Sequence, residues 1–194
     1  MEDLMLKARY FALIALMVLI AIAACSSNKQ VEIVEPEPVR NPLALAREAA
    51  TEGNDLYQDN MYDQAIVAFQ SAWDLFNEAA PTASEADSIA YNMEIMKLNI
   101  AKSHADLAYD NMEMTLYEDA LQHYQAALEI YQNHSPVVVS QAALDSDVLG
   151  TYNNMAIVTQ KAGMFEQTVR YYDEILKVEP NNEGILNAKF HVLS

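Results

Sequence analysis

Cysteine is nearly absent from this sequence, with Cys25 the only one among 194 residues. No disulfide can form within the chain, so packing must hold the fold. Glycine and proline are scarce too, at 4 and 6. With so few chain breakers, and with Ala, Leu, Met, Glu and Gln frequent, the composition is helix-forming. Basic residues are the third shortage: 11 Lys and Arg stand against 28 Asp and Glu, a formal net charge of -17. That field repels a polyanion such as DNA, since nucleic-acid binding needs clustered Lys and Arg. It favours solubility and neutral or basic partners.

Catalytic signatures are missing as well. No HExxH, GxSxG, Walker loop or GxGxxG occurs. His104, His123, His134 and His191 show no i, i+4 pairing, and no second Cys joins them, so no metal site is expected. Most carboxylates fall on polar helix faces and imply no paired acid–base work. Met61, Met93, Met96, Met112, Met155 and Met164 read as core filler. The expectation is a chain that is not an enzyme and uses no cofactor.

What is present begins at the N-terminus. Lys7 and Arg9 precede an apolar run from Tyr10 to Ala24. About 15 residues is short for a bilayer span but suits the core of an export signal. Glu2 and Asp3 depart from the usual basic start. The run ends in Ile22-Ala23-Ala24-Cys25, which resembles the bacterial lipobox. That resemblance implies a cleaved lipoprotein signal peptide over residues 1–24 and lipidation at Cys25. The acyl chains would anchor the protein firmly, at about 0.8 kcal/mol per buried methylene. Ser26 and Ser27 then point, by the same resemblance, to the outer membrane, with the chain facing the periplasm.

Residues 25–42 form the expected linker. Glu32, Glu35 and Glu37 alternate with Pro36 and Pro38, and Pro42 closes the stretch. Like charge and proline favour an extended chain, and the 17 residues after Cys25 can reach about 50 Å.

The remainder, 43–194, repeats internally. Gly53, Tyr62, Ala65, Phe69 and Ala72 are spaced as Ala108, Tyr117, Ala120, Tyr124 and Ala127, and as Ala156, Phe165, Thr168, Tyr172 and Ile175. This pattern resembles the tetratricopeptide repeat. It implies an all-α, right-handed solenoid of about three helical hairpins near 46–79, 101–134 and 149–182. In each hairpin small residues let helix A approach helix B, and an aromatic fills the space between repeats. Ile175 departs from the small residue expected there and should splay the last junction. Asn60, Thr115 and Gly163 occupy the positions of helix-B N-caps, with Asp63, Glu118 and Glu166 three residues on. Asn182 should cap a closing helix over 183–193.

The repeats are not evenly spaced. Ala65 to Ala120 is 55 residues and Ala120 to Thr168 is 48, whereas the family repeats every 34 or so. Elongated helices A are expected over 84–112, after a capping signal at Ser84, and over 139–162. Their extra turns should project beyond the repeat body.

The resemblance implies that helix A residues line a concave groove. The candidates are Arg47, Asn54, Tyr57 and Gln58, then Lys102, Tyr109 and Met112, then Asn153, Ile157 and Gln160. The basic-and-Asn pattern that clamps a terminal carboxylate in some family members is not reproduced. The resemblance implies a lipid-anchored scaffold that binds a protein or peptide and recruits it to an envelope assembly. A small-ligand-binding lipoprotein of solute transport is the alternative, needing an apolar cavity near Tyr109 and Met112. A cell-envelope hydrolase would need a nucleophile and base that the sequence does not display.

Overall fold

The structure is a computed structural model that describes residues 41–79 and 85–194. The expected export signal, Cys25 and the expected linker up to residue 40 lie outside the described residues, as does Ser84. Among the described residues no helix is long and apolar enough to cross a membrane.

Among the described residues seven helices follow one another: α1 Pro42–Gln58, α2 Tyr62–Ala79, α3 Ala86–Glu113, α4 Tyr117–Asn133, α5 Gln141–Lys161, α6 Phe165–Val178 and α7 Glu183–Leu193. Each packs on its neighbour in sequence, so the fold is an all-α stack of three hairpins and a closing helix. Side-chain caps start three of the described helices, at Asn41, Ser140 and Asn182. Asn41 Oδ1 accepts from Leu43 N at 3.1 Å, with Pro42 as the first helical residue rather than the end of the linker. Ser140 Oγ accepts from Ala143 N at 3.2 Å, and Asn182 Oδ1 from Ile185 N at 3.1 Å, as expected for the closing helix.

The three turns inside the hairpins correct the expected capping. Asn60, Thr115 and Gly163 all have positive φ, at 59°, 62° and 74°. They end the A helices rather than start the B helices. In the first turn Met61 N donates to Leu56 O and Asn60 N to Tyr57 O, at 2.9 and 3.1 Å. Leu116 to Asn111 with Thr115 to Met112, and Met164 to Thr159 with Gly163 to Gln160, repeat the pattern. These are three Schellman motifs in phase, each followed by an apolar residue. The helix-B N-caps are then Leu116 and Met164 in the last two hairpins, neither with a side-chain cap.

Thr115 carries a β-branched side chain in the left-handed region, which costs on the order of 1–2 kcal/mol. Thr115→Gly should therefore raise stability by about 0.5–1 kcal/mol after the added chain entropy of glycine. A urea midpoint that does not rise would refute this.

The small-residue positions do what the repeat requires. Ala65, Ala108, Ala120, Ala156 and Thr168 are all fully buried. Phe69 anchors the first core with Phe76, Ile89, Met96 and Ile100. Tyr124 anchors the second, with Ala108, Met155 and Val158. Ala72 and Ala127 meet the next helix A, in clusters with Ile89 and Leu144 respectively.

The elongated helices do not project. Ile89, Met93, Met96 and Ile100 form an apolar stripe along the first half of α3 and pack against α2. Leu144, near the start of α5, packs on Ala101, Ala127 and Tyr131. Each extension instead lengthens the contact with the helix before it. At the last junction Ile175 is buried with Ala156 and Tyr172, and Ile185, Ala188 and Val192 of α7 close over them. An open cleft of about 560 Å³ remains there between α5, α6 and α7, where the bulky Ile175 was expected to splay the stack.

Candidate functional site

Helices α1, α3 and α5 bring one polar, tyrosine-rich face together. At its centre is Asp106 on α3, half-buried, which accepts a hydrogen bond from the Tyr57 hydroxyl of α1. Lys102, one turn earlier on α3, places its Nζ 4.9 Å from the Tyr57 ring centroid, a cation–π contact. Tyr62, just past the first turn, tilts against Tyr57 with ring centroids 5.4 Å apart. Its hydroxyl donates to Asn60 Oδ1 at 2.7 Å.

The electrostatics tie the same residues together. Burial, then the Asp106 hydrogen bond and charge, push the Tyr57 hydroxyl above its ordinary pKa. Tyr62 is raised by burial and by Asp106 and Asp110. Tyr124 is pushed up to about 12 by burial, Asp106 and Tyr109. Tyr131 is raised by burial and by Asp147 and Asp106. Asp147 of α5 is itself raised by burial, against an opposing pull from Lys102. Tyr57, Tyr62, Tyr124 and Tyr131 are all raised, so each keeps its proton at neutral pH.

The expected groove residues divide three ways. Tyr57 and Lys102 meet on this face, and Tyr109 is exposed beside it. Met112 is buried in the second core, and the half-buried Ile157 packs against the same cluster. Arg47 lies on the outer side of α1, in a shallow depression with Glu48, Thr51, Glu52 and Asp59. Asn153 lines the separate cleft beside α7. Asn54, Gln58 and Gln160 are exposed.

Asp106, Asp110, Tyr62 and Asp147 belong to the face and were not among the candidates. Asp106 carried a usable signal, since it falls four residues after Lys102 and three before Tyr109, on one side of α3. Tyr62 was legible only as the repeat aromatic. Asp147 could not be found without knowing which turn of α5 faces α3.

No protein-family model matches this chain, and no curated protein matches it in sequence. Among solved structures, the C-terminal TPR-containing domain of an FK506-binding protein from Plasmodium falciparum is similar over 78% of this chain and 88% of that one. The identity is 17% and the TM-score 0.42. So distant a likeness adds nothing to what the hairpins themselves display.

Proposed function

We propose that this chain is a lipid-anchored scaffold, without enzymatic activity, whose tyrosine–aspartate face binds a protein or peptide and recruits it to an assembly of the bacterial envelope. The observation that carries the reading is the gathering of Tyr57, Tyr62, Lys102, Asp106 and Tyr109 from two hairpins. Tyrosine is a favoured anchor at recognition surfaces. Here it lies beside Asp106, Asp110 and Asp147 in a chain of net charge -17, which suits a segment carrying Lys or Arg. Anchoring at Cys25, the periplasmic side and the outer membrane are parts of the same proposal, and rest on the lipobox and Ser26-Ser27.

Crosslinking pull-down of the native protein from membranes tests it. Asp110→Lys and Tyr109→Ala should each reduce the recovered partner about tenfold, an interface loss of about 1.4 kcal/mol. Unchanged recovery with both variants would sink the binding face. Cys25→Ala should leave the precursor unprocessed and release the chain from membranes; continued attachment would remove the anchor from the proposal.

A small-ligand reading has one observation in its favour. A cleft of about 320 Å³ opens between α2, α3 and α4, lined by Trp73, Ile100, Ile130 and His134, within the ordinary size range of ligand sites. It is open, and Tyr109 and Met112 do not line it. The buried Trp73 Nε1 and His134 Nε2 have no hydrogen-bond partner among the described residues, but both are sealed from solvent, so a ligand in the cleft could not reach them without side-chain movement. The scaffold reading is preferred.

A further inference from the structure

The cleft lined by Trp73 continues along the molecule. It shares Gln70 and Ile100 with a second depression, of about 570 Å³, between α2 and α3, and the two make one open groove. Helices α2 and α4 both pack on α3 and hardly on each other, so α3 floors the gap between them. Lys97, Ile100 and His104 of α3 face this gap. At about 100° per residue they stand about half a turn around the helix from Lys102, Asp106 and Tyr109. The groove and the tyrosine-rich face therefore lie on opposite sides of α3. His104 has its Nδ1 3.0 Å from Nδ1 of His123, and this hydrogen bond ties α4 to the floor.

The groove is apolar inside and acidic at its edges. Ile66 and Trp73 of α2, Ile100 of α3 and Ile130 of α4 line it, each buried or half-buried. Asp74, Glu78 and Glu129 stand exposed along its two rims. Among the described residues no cationic side chain lies within 4.0 Å of any of these three carboxylates. Lys97, which also lines the groove, is held by Glu94 at 2.9 Å. Along α2 the lining residues run from Ile66 to Glu78, about 18 Å at about 1.5 Å per residue, the length of about three turns of a docked helix. We propose that this groove is a second docking site, for an amphipathic helix of a partner protein. Its apolar stripe would lie on Trp73, Ile100 and Ile130, with Lys or Arg set against Asp74, Glu78 and Glu129. Charge decides the occupant. A second copy of this chain brings a net charge of -17. The chain's own segment 26–40 sets Glu32, Glu35 and Glu37 against Lys29 and Arg40. Neither complements an acidic rim. The site is independent of the tyrosine-rich face.

Trp73 is the only tryptophan in the sequence, so its fluorescence reports occupancy directly. The full chain is titrated with a synthetic peptide of about 14 Leu and Lys residues at helical amphipathic spacing, and with the same residues in an order that has no apolar face. The amphipathic peptide should shift Trp73 emission, saturating at one peptide per chain with a Kd below about 100 µM, and the reordered peptide should bind about tenfold more weakly. Glu78→Lys and Glu129→Lys, both at exposed positions, should each weaken binding about fivefold. Tyr109→Ala should leave it unchanged. Binding weaker than about 1 mM, binding without a change in Trp73 emission, or equal affinity for the two peptides would each overturn the groove. Loss of binding in Tyr109→Ala without loss in the rim variants would overturn it too, while leaving the tyrosine-rich face standing. Self-association of the chain in sedimentation, abolished by Ile130→Glu, would place a second copy in the groove and overturn the proposed occupant.

Discussion

Gly53→Val will destabilise the helical domain by about 3 kcal/mol or more, at the upper end of what overpacking a core costs. A single Cβ added to Gly53 would sit 2.6 Å from Phe69 Cδ1 and 2.7 Å from Cε1. Valine adds two further methyl groups at the same place. Phe69 has nowhere to go, because it is 1% exposed and walled by the first core. Gly53 does not have a positive φ, so the effect is steric and not conformational. A glycine inside a helix is itself unfavourable by about 0.5–1 kcal/mol relative to alanine, and here the close approach of α1 to α2 outweighs that. Gly53→Ala should lose less than valine, and Phe69→Leu in the alanine background should recover part of the loss. Urea unfolding should show a lower midpoint at constant slope. A valine loss under about 0.5 kcal/mol, the range of neutral surface changes, would show that the helices part freely.

The second large effect is acid sensitivity. His104, His123 and His134 are all lowered, first by burial. His134, with Nδ1 3.1 Å from Glu94 Oε2, is lowered despite that carboxylate, and Lys97 works in the same direction as burial. A group with a depressed folded pKa binds fewer protons folded than unfolded. Its contribution is full above pH 6.5 and is lost as the pH falls toward the folded value, about 4 for His104. The full shift would be worth about 3.4 kcal/mol, but His104 is partly solvated, so about 1–2 kcal/mol is expected from it. Asp147, raised by burial, acts in the opposite sense near the bottom of this window. Comparing wild type with His104→Gln isolates the effect. The wild type should lose about 1–2 kcal/mol more than the variant between pH 7 and pH 4. Parallel curves would show that His104 does not carry it.

The repeat was legible because its requirements are local and periodic. Gly53, Ala65 and Phe69 recur in kind two more times at fixed offsets, and close helix packing tolerates few other residues there. Asn182 as a cap was legible for the same reason, since an N-cap acts within three residues. The turn residues were misread although they were noticed. Asn60, Thr115 and Gly163 can serve either as an N-cap or as the left-handed residue of a Schellman turn. The spacing is compatible with both, and only the backbone hydrogen bonds separate them.

The face proposed for binding was half legible. Tyr57, Lys102 and Tyr109 follow from which helix is helix A, but Met112 was assigned to the groove and is a core residue, and Ile157 is half-buried against the same core. An α-helix places residues only 100° apart, and a shift of one or two positions moves a side chain from surface to interior. That rotation is set by neighbours distant in sequence. The His104–His123 pair was invisible for the same reason, because its members are 19 residues apart on different helices.

By itself, then, the sequence determined the all-α class, the hairpin repeat with its small and aromatic positions, and the closing helix after Asn182, all through short-range patterns. The tertiary structure alone decided that the long first halves of α3 and α5 lie against the preceding helices, that Asp106 joins Tyr57, and that two imidazoles meet between α3 and α4. Those outcomes depend on helix rotation and on the crossing of helices, and the energies that settle them come from contacts between residues far apart in the chain.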